Sequence, residues 1–327
     1  MKLYKLMLIG LLVVLCFSTT ACADPDVSVN ETDWGNPSVN ITPNSTVVEN
    51  VTPVMPEKSA HELQKSIDDT PDGGVLYLNS TLYRLDSPII INKTITIIGS
   101  SENDNGFSIV DGQNKTNLFE LFNGATVTFK NINFTDAKGN AGGAAISDKK
   151  NAKIYVEDCN FNHCVSNGNG GAISSKKYVS AKNSTFLSCE ASNGGALYVD
   201  NQFASGDVDG CYFEKNYAWP LGGAILGYNL AIRNSVFYNN TGVIEAGAID
   251  AMSIKELVNC TFIENNCLYG TVAAVTLRSI SDPKNINNCY FDGNYGGNIM
   301  YIFTQNEGHD LVMENFTFVN NRDIKPF

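Results

Sequence analysis

Phenylalanine returns along this chain at positions 134, 161, 186, 213, 237, 262, 291 and 318, at intervals averaging about 26 residues. A period of that length marks a stacked-repeat fold, in which each repeat buries its apolar face only against its neighbours. From Phe213 onward an asparagine follows three residues later: Asn216, Asn240, Asn265, Asn294 and Asn321. The earlier repeats carry Ala137, Cys164 and Cys189 there. A second motif, Gly-Gly-Ala-Ile or a relative, recurs at 143–146, 170–173, 194–197, 222–225, 246–249, 272–275 and 296–299.

The residues upstream of each Phe decide which kind of repeat this is. Two positions back stand Ile132, Cys159, Ser184, Cys211, Ser235, Cys260, Cys289 and Phe316. One further back stand Asn131, Asp158, Asn183, Gly210, Asn234, Asn259, Asn288 and Asn315. Two further again the column is wholly apolar: Phe129, Val156, Ala181, Val208, Ile232, Leu257, Ile286 and Met313. Phe and its Cys/Ser partner, two apart, share one face of a strand. The apolar column is three before Cys/Ser, which breaks strict alternation. A left-handed corner at the intervening Asn or Gly resets the inward face. Each repeat therefore reads as strand, corner, strand, with the Gly-Gly-Ala-Ile strand about 12 residues later.

Three short strands per turn predict an all-β, right-handed, single-stranded parallel β-helix of about 9–10 rungs, each of roughly 26 residues. Helical solenoids need longer segments of period 3.6, which are absent. The repeated asparagines are expected to stack as an amide ladder. Upstream, Ser59 and Glu62 form a capping box before Leu63 and Ile67, so a short N-terminal helix is expected to cover the open end of the stack. Val75–Leu78, Ile89–Ile91 and Ile95–Ile98 read as the first strands.

The chain divides into a signal segment over 1–23, a polar stalk over 24–56, the repeat region over 57–322 and a tail over 323–327. Lys2 and Lys5, the apolar run Leu6 to Phe17 and Ala21-Cys22-Ala23 make the export signal. An uncleaved anchor and lipidation at Cys22 are its alternatives. The stalk is interrupted by prolines and holds four Asn-x-Ser/Thr sequons, at Asn30, Asn40, Asn44 and Asn50, so it reads as a glycosylated tether. No later run is apolar enough for a second membrane span. The expected location is extracellular, secreted or at the cell surface.

Seven cysteines lie in the repeat region, an odd number without a CxxC pair. They read as small core residues rather than as zinc ligands, with Cys159–Cys164 and Cys260–Cys267 open as bridges. The net charge of −12 and the lack of a basic stripe argue against nucleic-acid binding.

Gly-Gly-Ala-Ile alternating with Phe-x-x-Asn resembles the repeats of chlamydial polymorphic outer-membrane proteins. The run from Ile95 through Asp104-Asn105-Gly106 to Phe134 resembles adhesin-like β-helix proteins of methanogenic archaea. The whole region from about 57 to 321 is similar to pectin-lyase-like β-helices. The resemblance implies a surface adhesin-like role, although neither an autotransporter barrel nor a wall-binding module follows the repeats in this sequence.

Fold alone does not decide function. His61, His163 and His309 are scattered, so no catalytic cluster and no cofactor site is evident. Asp207 and Asp209 lack the nonapeptide repeat of calcium-binding β-rolls. Lys130, Glu157, Lys182, Asp209 and Arg233 occupy equivalent outward positions on five successive rungs with alternating sign. That pattern suits a cross-rung charge ladder better than a lyase site. Tyr212 and Tyr290, between Cys and Phe, and Tyr217 and Trp219, in an expected inter-strand turn, offer aromatic faces to a sugar ring. The reading is a binder of glycans or surface proteins. A polysaccharide lyase, hydrolase or epimerase is the first alternative, and a structural envelope component the second.

Overall fold

The computed structural model describes residues 55–100, 107–280, 285–303 and 314–323. The export signal, the sequons at Asn30, Asn40, Asn44 and Asn50, Cys22, His309 and residues 324–327 lie outside them. Within them the chain winds into a parallel β-helix of four sheets, with nine, eleven, eight and nine strands. One rung runs Lys153–Glu157, Asn160–Asn162, Val165–Ser166, Ile173–Ser175, contributing one strand to each sheet in turn. We number the sheets 1 to 4 in that order.

Four strands per rung, rather than three, corrects the sequence expectation. The additional sheet 3 is built largely of strands such as Val165–Ser166, Thr241–Gly242 and Asn266–Cys267. Two residues carry no alternation to detect. A second correction concerns Gly-Gly-Ala-Ile. The strand begins at its last residue, as in Ile173–Ser175, Ile225–Gly227 and Ile249–Ala251, and the glycines form the preceding turn. That turn packs against its copy on the next rung. A Cβ on Gly171, Gly195 or Gly223 would lie 2.0–2.1 Å from a backbone oxygen of that copy.

Identical side chains stand above one another. From Phe134 to Phe291 consecutive repeat phenylalanines stack with centroids 4.7–5.0 Å apart and ring planes within 11°. All seven are fully buried. Each removes an aromatic side chain from water, worth about 1.5–3 kcal/mol before entropy is counted. The corner column is left-handed throughout, with φ between 47° and 64° at Asn131, Asp158, Asn183, Gly210, Asn234, Asn259, Asn288 and Asn315.

The Cys/Ser column explains its own interchange. Each Cys or Ser side chain in it donates to the carbonyl two residues back. Examples are Cys159 Sγ to Glu157 O at 3.3 Å, Ser184 Oγ to Lys182 O at 2.8 Å, Ser235 Oγ to Arg233 O at 2.6 Å and Cys260 Sγ to Val258 O at 3.3 Å. A small side chain with one donor is what the corner requires.

The helix Ala60–Asp69 closes the first rung. Ser59 and Glu62 make the reciprocal capping box, and Ala60, Leu63 and Ile67 are buried. Gln64 also serves the strand Ile89–Ile91, which ends sheet 4. Its Oε1 accepts from Ile90 N at 2.8 Å and its Nε2 donates to Ile90 O at 3.1 Å. A side-chain amide thus replaces the next strand and blunts the edge. Among the described residues no helix is long and apolar enough to cross a membrane.

Candidate functional site

The strand Tyr217–Leu221 belongs to sheet 3, so this segment is not the inter-strand turn expected. Alternation along it turns Ala218 inward and Tyr217 and Trp219 outward; Trp219 is 54% exposed. On the next rung Ile244 donates its N–H to Pro220 O at 3.0 Å, and one rung further Tyr269 donates to Val243 O at 2.9 Å. Tyr295, on the rung after that, pairs in register with Asn266. Ile244, Leu268, Tyr269 and Tyr295 are all exposed, Tyr269 at 81%. Four successive rungs therefore present large apolar side chains to solvent along one edge of the helix. Large apolar side chains exposed on successive rungs make this edge a candidate interaction surface.

Next in the chain after Ile244 comes Glu245, the first member of a polar group. Asp250 lies directly beneath Thr276 in sheet 4. Arg278, just past the strand Val272–Leu277, reaches back to both carboxylates. Its Nε donates to Asp250 Oδ1 at 3.0 Å and its Nη2 to Asp250 Oδ2 and Glu245 Oε2 at 2.8 and 2.7 Å. Thr276 Oγ1 lies 3.5 Å from Glu245 Oε1. Asp250 is fully buried, whereas Arg278 and Glu245 keep 32% and 23% of their side chains exposed. Burial raises the Asp250 carboxyl to about 6, even with Arg278 beside it. Two carboxylates and a guanidinium in low dielectric are costly to assemble. A titratable group shifted toward neutrality next to an exposed ridge is a functional-site candidate on physical grounds.

Sequence reasoning found Tyr217 and Trp219 of this ridge and missed the rest. The available signal lay between each ladder Asn and the following turn, where Ile244, Leu268 and Tyr269 fall. Asp250 had a signal too. Its column carries Ser147, Ser174, Tyr198 and Leu226 on the four rungs before it and Glu120 one rung earlier still, so a carboxylate is uncommon there.

Tyr212 and Tyr290 lie elsewhere, in one column of sheet 2 three rungs apart, with Val236 and Thr261 between them. Tyr290 donates to Asp292 Oδ2 at 3.0 Å. Burial, with Glu214 beside it, pushes the Tyr212 phenol up. Neither joins the ridge.

Lys130, Glu157, Lys182, Asp209 and Arg233 are aligned in register on sheet 1. Lys130 Nζ and Glu157 Oε2 pair at 2.5 Å. Hydrogen bonding from Lys130 lowers the Glu157 carboxyl, and the charge of Lys182 adds to the effect. The end of the column differs from an unbroken ladder. Arg233 turns to Glu256 at 2.8 Å and Asp207 at 3.7 Å. Asp209 instead accepts from Asn234 Nδ2 at 2.7 Å. The longer Arg233 side chain passes its column neighbour for carboxylates in the adjoining column.

Asp207 also accepts from Tyr178 Oη at 2.7 Å, so it is held as a hydrogen-bond and ion-pair partner. No group of three or more His, Cys, Asp or Glu side chains that could hold a metal occurs among the described residues. His163 sits at a left-handed corner with its Nδ1 3.7 Å from Asp136 Oδ1.

No family model matches the chain, and no curated protein matches it. Among solved structures it is similar to a mutant of a PL6-family alginate lyase, at 10% identity with a TM-score of 0.31. The match covers 82% of this chain and 53% of that one. The chain thus spans about half the length of that protein.

Proposed function

We propose that this chain is an exported, surface-exposed β-helix that binds an extended glycan along the ridge from Trp219 to Tyr295. The exposure of large side chains on four successive rungs carries the reading. Rungs repeat about every 4.8 Å, so Trp219, Tyr269 and Tyr295 offer flat faces on three of four successive rungs to an extended polymer. Aromatic rings combine an apolar body with a polar tip, which suits pyranose rings. Glu245 and Arg278, partly exposed, supply polar partners for hydroxyls at one side. The motif resemblance to adhesin-like repeats agrees with a binding role. A surface-protein ligand is the variant of this reading that the same ridge would serve.

A second reading, polysaccharide cleavage or epimerisation, draws on one observation: two carboxylates and an arginine gathered on neighbouring rungs. Against it, Asp250 is sealed from solvent and Arg278 is held by both carboxylates. A glycan array run beside cleavage assays separates the readings. Binding without turnover that is lost in Trp219→Ala and Tyr269→Ala supports the proposal. Turnover abolished by Glu245→Gln would replace it.

A further inference from the structure

The parallel register sorts the seven cysteines in a way their sequence spacing conceals. Cys159 and Cys164, on one rung, belong to different columns, and so do Cys260 and Cys267. Adjacency is vertical instead. Val165 pairs with Glu190, and Glu190 N donates to Cys164 O, which sets Cys164 beside Cys189 on the next rung. Thr261 pairs with Tyr290, and Tyr290 N donates to Cys260 O, which sets Cys260 beside Cys289. In both couples the side chains face the core and are buried. All seven cysteines are free in this structure.

The other three have no such neighbour. Cys159 lies between Ile132 and Ser184, and Cys211 between Ser184 and Ser235, in the shared column. Cys267 lies in sheet 3 above Gly242. Directly stacked residues on parallel strands are about 4.8 Å apart, inside the Cα separation of about 4.4–6.8 Å that a disulfide spans; their Cβ atoms, which point the same way, must close by a few tenths of an ångström to about 3.5–4.5 Å as the bond forms.

We infer that Cys164–Cys189 and Cys260–Cys289 are cross-rung disulfide sites, two covalent staples that flank the rungs carrying Trp219 and Ile244. Formation needs an external disulfide oxidant such as oxidised glutathione. One protein thiolate attacks the oxidant's disulfide and expels a glutathione thiolate. The partner thiolate then attacks the mixed disulfide and expels the second glutathione. Two protein thiols are oxidised, one external disulfide is reduced, and the two protons released end on the two glutathiones. Because the couples are buried in the folded chain, the reaction runs during folding.

The test refolds the full chain from denaturant in a glutathione redox buffer and, in parallel, in excess reductant. Free thiols are alkylated under denaturing conditions before proteolysis. Linked peptides Cys164–Cys189 and Cys260–Cys289 are expected, with Cys159, Cys211 and Cys267 alkylated and a higher thermal midpoint in the oxidised sample. The double variant Cys260→Ser, Cys289→Ser places serine where Ser184 and Ser235 already stand. It is expected to fold, to keep the first bridge and to lose part of the midpoint gain. Linked peptides of Cys159–Cys164 or Cys260–Cys267 would overturn the inference. So would seven alkylated thiols in a sample that regained its β circular dichroism in the redox buffer.

Discussion

Asn240 gives both its side-chain and its backbone N–H to a single oxygen of Asn265: Nδ2 to Oδ1 at 2.9 Å and N to Oδ1 at 3.0 Å. The second Nδ2 proton goes down the stack, to Phe213 O at 3.0 Å. The same arrangement links Asn216 to Asn240, Asn265 to Asn294 and Asn294 to Asn321. Each amide satisfies the corner of its own rung and the corner of the next.

Asn240→Ala therefore leaves the Phe213 carbonyl and the Asn216 amide without these partners in a fully buried setting. Unsatisfied buried groups cost about 1–3 kcal/mol each, so a loss of about 2–4 kcal/mol is expected from chemical denaturation. Asn123→Ala is the comparison. Asn123 is exposed and left-handed, so its replacement is expected to cost only the conformational preference, about 1 kcal/mol.

Gly195→Ala tests the close approach of stacked turns. Its Cβ would meet Gly223 O at 2.1 Å, and that oxygen is itself fixed in the stack. The variant is expected to lose more than about 3 kcal/mol or to fail to fold, as over-packing against backbone does. Gly124→Ala is the control. Gly124 has φ of 68° but its Cβ meets nothing nearer than 3.7 Å, so only the left-handed cost of about 1–2 kcal/mol applies.

Asp250 makes stability depend on pH with a defined sign. Burial lifts its carboxyl from 3.8 to about 6 in the folded chain. The folded state thus holds the proton more tightly than the unfolded state. The stability it contributes is fully present below pH 3.8 and is lost as pH rises through 6. Asp250→Asn removes this dependence. The stability of the wild type relative to the variant should fall by about 3 kcal/mol across that window. A difference that does not change with pH would show that Arg278 offsets the burial completely.

Lys182→Glu places a third carboxylate between Glu157 and Asp209. The side chains are exposed or half-buried, so the expected loss is no more than about 1 kcal/mol. Added salt should shrink it. A loss of several kcal/mol would mean that the column bears more of the fold than its exposure allows.

The repeat period, the Phe column, the left-handed Asn corner and the N-terminal capping box were legible in the sequence because each rests on a residue type with one strong preference. A second left-handed corner was not. It falls at Asp136, His163, Ser188, Lys215, Asn239, Glu264, Gly293 and Asn320, with φ between 48° and 63°. Lys, Glu and Ser there carry no turn signal; stacking against the rungs imposes the conformation. Sheet 3 was hidden for a related reason, since two-residue strands have no period. Of the ridge, only Tyr217 and Trp219 stood out. Arg278 lies 28 residues from Asp250 and 33 from Glu245, so only the register brings it to them.

Distances between outward positions of one column test the stacking itself. Asn160, Val236, Thr261 and Thr317 belong to one column of sheet 2, at increasing rung separation. Nitroxides placed at 160 and each of the others, by a chemistry that spares the buried thiols, report these separations by pulsed electron resonance. At about 4.8 Å per rung, backbone separations of about 14, 19 and 29 Å are predicted, rising in proportion to the three, four and six rungs between the labels. Distances that fail to increase in that order, or that are unrelated to rung number, would contradict the account.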